Sequence, residues 1–276
     1  GDDLVLDASH AAPVGATVDE QVIVGDTTSV NGAGVGINLS NTSAAAGVFE
    51  YTYDGGATGD AGIRISGADA QGTVIIQDSS CTGGTGPGIE LDNAASTYTV
   101  INSTITDTGG AAVAVNGGAA NLNFTGRIDQ SNNAPAIDVN SGHTGVLAFN
   151  EATAAAGVIG ATGGTGLQFN NADGTYQFND AVVLGGGDAG VDVTGGSSGT
   201  FTFAASSTIT NPTGNAFVVD GSNPIITYQG SITDNAGRPV VIENNTGGTE
   251  LFTGTITGPD QGTSIQTNPR VEPRIA

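Results

Sequence analysis

Three acids occupy matching places along the chain and invite a chemical reading. Glu90 in GPGIELDN, Asp138 in APAIDVNS and Asp192 in AGVDVTGG each follow an Ile or Val and precede another apolar residue. Paired carboxylates are the working parts of glycoside hydrolysis, one as acid and the other as base or nucleophile, provided both face the same sugar. Asp54, Asp60 and Asp188 lie in Gly-rich stretches, where acids beside backbone carbonyls suit a hard cation such as Ca²⁺. Whether any of these acids converge depends on the elements that carry them.

Those elements repeat. The first apolar position of the motif returns as Ile37, Ile63, Ile89, Val113, Ile137, Leu167, Val191, Phe217, Val240 and Ile265, at gaps of 26, 26, 24, 24, 30, 24, 26, 23 and 25 residues. DLVLDA (3–8) reads as an earlier, less regular copy. Each period carries a second apolar pair that supplies Phe124, Phe149, Phe178, Phe203, Tyr228 and Phe252 at one place. A third run follows, with Ile105, Ile209, Ile232 and Ile256 at its centre. Three short strands and three turns per period describe one coil of a parallel β-helix. The spacing predicts an all-β solenoid of about ten to eleven coils of 23–30 residues. Residues 1–32 are expected to form an irregular first coil or cap, 33–268 the β-helix, and 269–276 an extended tail.

Strand alternation sends Ile89 and Leu91 inward and Glu90 outward. The outward column of the first strand then reads Asn38, Arg64, Glu90, Ala114, Asp138, Gln168, Asp192, Val218, Val241 and Gln266. Asp138 and Asp192 fall two coils apart, ~10 Å, at the upper end of an inverting glycosidase's carboxylate separation. Phe169, the aromatic nearest this sheet, is expected to point inward, which leaves no platform on which a sugar could stack. The slot after the first strand holds Asp92, Asn116, Asn140, Asn170 and Asp220, small polar residues that bond neighbouring backbone at a bend and tolerate left-handed conformations. Cys81 aligns with Ile105 in an inward slot, as a small buried hydrophobe. Because it is the lone cysteine, it supports neither a disulfide framework nor a thiolate cluster.

Composition narrows the function. A net charge of −22 with five Arg and no Lys leaves nothing to neutralise a row of phosphates, so nucleic acid and anionic membrane surfaces are not expected partners. Such acidity suits a salty or extracellular setting, where salt screens self-repulsion. No run approaches the ~18 apolar residues of a membrane span. The first residues, GDDLVLDAS, have neither the basic nor the apolar region of a signal peptide, so one is expected to be absent or already removed.

The GIxI/V–N/D/S rungs and the TIT third strands resemble the right-handed parallel β-helix (pectin-lyase-like) superfamily over residues 33–268. The sequence looks closest to the non-catalytic repeat arrays of bacterial surface proteins and autotransporter passenger domains. The resemblance implies a right-handed coil and, in the carbohydrate-active members, work on the first sheet. The pectin-cleaving members pair acids with a His and an Arg–Lys pair. Here His143 is expected in the turn after a first strand and Arg127 on a third strand, and no Lys exists, so that pattern is not matched.

The remaining candidates are surface features. GGGDAGVDV (185–193) shares part of the spacing of calcium-binding nonapeptides but occurs once, so an adventitious Ca²⁺ near Asp188, Asp54 or Asp60 is the metal reading, with no cofactor required. Outward Thr pairs on the third strand, such as Thr208/Thr210, suit ordered water, although Arg127/Asp129 and Ala181/Val183 interrupt them. Val218 and Val241, beside Arg238, form a candidate contact patch for another chain or domain. Neither end carries an amphipathic capping helix, which predicts a piece of a longer array or coils that stack head-to-tail. The sequence thus points to an extracellular or cell-surface stalk, adhesin segment or fibre subunit without catalysis. Its partners would be itself, neighbouring repeats, or a surface glycan or protein. The alternatives are a polysaccharide-binding or polysaccharide-cleaving β-helix using Asp138 and Asp192, and a phage tail-fibre segment.

Overall fold

In the computed structural model, residues 81–150, 159–188 and 190–259 are described with their side chains; outside them the description is of strands, together with the Ile63 and Ile76 side chains. The described residues hold strands and turns and no helix. The first strands of successive coils form a single 11-stranded ladder, parallel throughout. Its register pairs Ile63 with Ile89, Val113 with Ile89, Ile137 with Val113, and so on to Val240 with Ile265. Leu4 pairs with Ile37, so the irregular copy at the start belongs to the same ladder. The complete coils number about seven, fewer than the ten to eleven expected. The outer first strands extend the ladder, while most of the chain between them lies outside the described residues.

The second and third strands stack in the same way but are not always separate. Thr97–Thr106 and Asn121–Gln130 each run through the corner as one bent strand. A register shift at Thr125/Arg127 and a left-handed Asn102 (φ 53°) make that bend. From Val146 onward the two strands separate, as in Thr200–Phe203 and Thr208–Thr210.

Each coil closes its first corner with a left-handed residue. Asn93, Gly117, Ser141, Asn171, Gly195, Gly221 and Asn244 all have φ between 51° and 67°. They lie one place beyond the slot that the sequence assigns to left-handed Asn and Asp. The polar slot itself is not left-handed and ends the strand in most of these coils, although the strands through Asn140 and Asn170 run on to His143 and Ala172. The following residue makes the turn, which is why Asn and Gly predominate there.

The core joins the first-strand aliphatics, two inner columns of the second strand, and inward third-strand residues such as Ile105, Ile128, Ile209 and Ile232. Phe124, Phe149, Phe178, Phe203, Tyr228 and Phe252 pair in register and are all buried. Phe149, Phe178 and Phe203 stack face to face, with centroids 5.1 Å and 4.7 Å apart. Two residues earlier on each strand runs the column Tyr98, Leu122, Leu147, Tyr176, Phe201 and Ile226. That column ends on Glu250, which is buried where its neighbours are apolar.

Candidate first-strand face

The outward column is as the alternation places it. Arg64 pairs with Glu90, Glu90 with Ala114, Ala114 with Asp138, Asp138 with Gln168, and Gln168 with Asp192. Asp138 and Asp192 therefore never stand side by side. Between them the Gln168 amide donates to Asp192 Oδ2 at 2.9 Å and to the Thr165 carbonyl. Burial raises the pKa of both carboxyls; a hydrogen bond from Asn140 opposes this at Asp138 and one from Gln168 at Asp192, where the charge of Asp188 adds to the rise. Glu90 Oε1 accepts from Asn116 Nδ2 of the next coil at 3.2 Å. Each acid on this face is thus engaged by an amide, and none is aimed at a shared point. Phe169 is buried, so the sheet presents no aromatic surface from that position.

The other candidates scatter. Asp188 is exposed in the turn before Gly190–Thr194. The Asp54 side chain and Asp60 lie outside the described residues. Among the described residues no three His, Cys, Asp or Glu side chains come together as metal ligands would. Cys81 is buried opposite Ile105, and burial pushes its thiol up to about 12. Arg127 forms a bidentate pair with Asp129 two residues along the same strand, an exposed local pair.

His143 departs from expectation. It is not in a turn at the surface but fully buried, at the end of the strand Pro135–His143. Left-handed Ser141 and Gly142 (φ 63° and 79°) break the alternation there and turn the ring into the core. Nε2 donates to the Ala120 carbonyl at 3.0 Å, so Nδ1 of the neutral ring is an acceptor facing the Tyr176 hydroxyl at 3.1 Å, whose one proton is shared between Nδ1 and the His143 carbonyl at 3.2 Å. Burial lowers the His143 pKa and favours that neutral form. The pair is a satisfied structural contact between coils.

The contact patch is also corrected. Val241 is buried at 3% exposure and Val218 half-buried, while Arg238 is exposed. In the outward column Val241 stands beside Val218, ~4.8 Å away along the ladder, so part of its surface is taken up by that contact.

What sequence reading missed is a set of clamps between coils. Asp107 Oδ1 accepts both the backbone N–H and the hydroxyl of Ser131, each at 2.7 Å. Asp173 holds Ser198 in the same way, and Asn223 holds Thr246. Asn211 Oδ1 accepts the Asn235 N–H at 3.1 Å, and Asn121 Oδ1 that of Val146 at 3.0 Å. These N–H groups lie at or next to corners, on the exposed side of the coil, where the strand ladder lapses and the side chain supplies the acceptor. The signal was present as an acid or Asn preceding a Ser or Thr by 23 to 25 residues, one coil. An Asn ladder adds to it, Asn179 donating to Asn150 and Asn150 to Asn123, both at 2.7 Å.

No family model, no curated protein and no solved structure matches this chain.

Proposed function

We propose that the chain is a non-catalytic structural protein of the cell surface or extracellular space. In this reading the β-solenoid is a rigid spacer and display surface within a stalk, an adhesin or a fibre. The observation that carries the reading is the clamp system. Polar side chains that could have formed a site, among them Asp107 and Asp173, are spent on holding one coil to the next. The function is mechanical, because the described coils are tied to one another by backbone ladders, corner clamps and a continuous core. The likeness to surface-protein and passenger-domain arrays of the pectin-lyase-like superfamily supports this reading. So does the acidity, which suits a salty extracellular setting where salt screens self-repulsion. No cofactor is needed, and a Ca²⁺ held by Asp188 would be incidental. Partners would be further coils of the same kind, end to end, or a surface glycan or protein.

A second reading has one observation in its favour. Asp138 and Asp192 are half-buried and both shifted toward the protonated form, as a general acid would be. Glycan-release assays on acidic and neutral polysaccharides, repeated with Asp138→Asn, separate the two. The structural reading expects no release from either protein. Release by the parent that disappears in the variant would replace it with an enzyme.

A further inference from the structure

Charge is distributed unevenly around the coil. The first-strand face and its corner carry Glu90, Asp92, Asp138, Asp192, Asp220 and Glu243. Among the described side chains, the second-strand face carries none; Arg274, paired with Leu251, lies one rung beyond them. Across 97–101, 121–125, 146–150, 175–179, 200–204, 225–229 and 249–253, every outward position is uncharged, in a chain of net charge −22. The outward side chains are mostly Thr, Asn and Gln, with Val146 and Ile225 exposed among them at 39% and 52%. Many corner amides and carboxylates are committed to clamps. In contrast, the outward groups of Thr175, Gln177, Thr200, Thr202, Thr227 and Thr249 have no hydrogen-bond partner among the described residues.

We propose that this face binds an uncharged linear polysaccharide lying along the solenoid axis. Charge sets the class of ligand. Across these seven rungs the face has no cation to hold a polyanion and no carboxylate to hold a polycation, and desolvating that stretch costs no ionic hydration. The hydroxyls and amides donate and accept at once, as sugar hydroxyls do. They recur every ~4.8 Å along the axis and ~7 Å across it, a regular array suited to a regular polymer. Many weak, equivalent contacts along such a polymer add through avidity. The proposal rests on the reading of the solenoid as a display scaffold, but not on the carboxylates of the first face.

The test is retention of the purified chain in native affinity gels containing a neutral glucan, a neutral mannan or polygalacturonate, at low and high salt. The expected result is retardation by a neutral polymer, insensitive to salt. Retardation should fall about tenfold or more in Thr175→Asp/Thr227→Asp, whose new charges are desolvated on contact. Asp92→Asn, on the exposed corner of the other face, should leave it unchanged, and an unaltered melting temperature shows that each variant folds. No retardation by any neutral polymer, retention by polygalacturonate alone, or a dimer in sedimentation that the double variant abolishes would each overturn the proposal. Imaging of rods tests the scaffold separately, so the two ideas can fail independently.

Discussion

Phe178→Ala probes the core at its tightest point. Phe178 is fully buried between Phe149 and Phe203, with centroids at 5.1 Å and 4.7 Å, and Phe169 meets its edge at 6.2 Å. Truncating a buried Phe costs ~3–5 kcal/mol through lost transfer energy and the cavity left behind. Two stacked partners lie above and below, each worth roughly 0.5–1.5 kcal/mol beyond area. The upper half of the range is therefore expected, because rungs pinned by backbone ladders on both sides cannot collapse into the void. At ~2–4 °C per kcal/mol for a domain of this size, the melting temperature should fall by at least ~8 °C. Phe124→Ala, whose one such stacking partner is tilted at 5.8 Å, should cost less. Val183→Ala, exposed at 41%, should cost under ~0.5 kcal/mol. Far-UV circular dichroism melts of the three variants provide the comparison. Equal melting temperatures for Phe178→Ala and Val183→Ala would refute the continuous aromatic column.

Three further outcomes follow from the polar groups. Burial raises the Glu250 pKa, while an Asn245 hydrogen bond opposes the shift. Its favourable contribution is therefore complete below the unfolded value of ~4.3 and lost as pH rises through the folded pKa. Glu250→Gln should accordingly gain little over the parent near pH 4 and progressively more toward pH 7 in paired melts; an identical gain at both pH values would contradict this. Asp107→Asn keeps an acceptor for Ser131 and tolerates φ 50°, whereas Asp107→Ala loses the exposed clamp in a left-handed position and should cost ~1–2 kcal/mol, mostly from the backbone. Urea midpoints and exchange of the Ser131 amide check it, and equal stabilities for the two variants would dismiss the clamp. Cys81 should resist alkylation in the folded chain and react on unfolding, since its thiol is buried and pushed up to about 12; rapid native labelling would place it elsewhere.

The ladder was legible in the sequence because one strand face alternates cleanly. Every outward neighbour from Asn38 to Gln266 stands where the repeat places it. Glu250 was equally legible and went unread. It lies two residues before Phe252, so alternation alone points it inward. His143 could not be placed by that rule, since the left-handed Ser141 and Gly142 reset the parity between Asn140 and the ring. The corners were placed one residue early because an Asn that ends a strand and a left-handed Asn look alike in sequence. The acids drew attention as a site, yet their partners are one coil away, and only the stacked register shows that Asp107 meets Ser131 and Gln168 meets Asp192.

The central claim is that this chain acts as a rigid rod of stacked coils. Electron microscopy of the purified protein tests it most directly. An 11-stranded ladder at ~4.8 Å per coil predicts straight particles ~50 Å long, single or joined end to end. Rounded particles without a long axis, or chains that bend within that length, would contradict it.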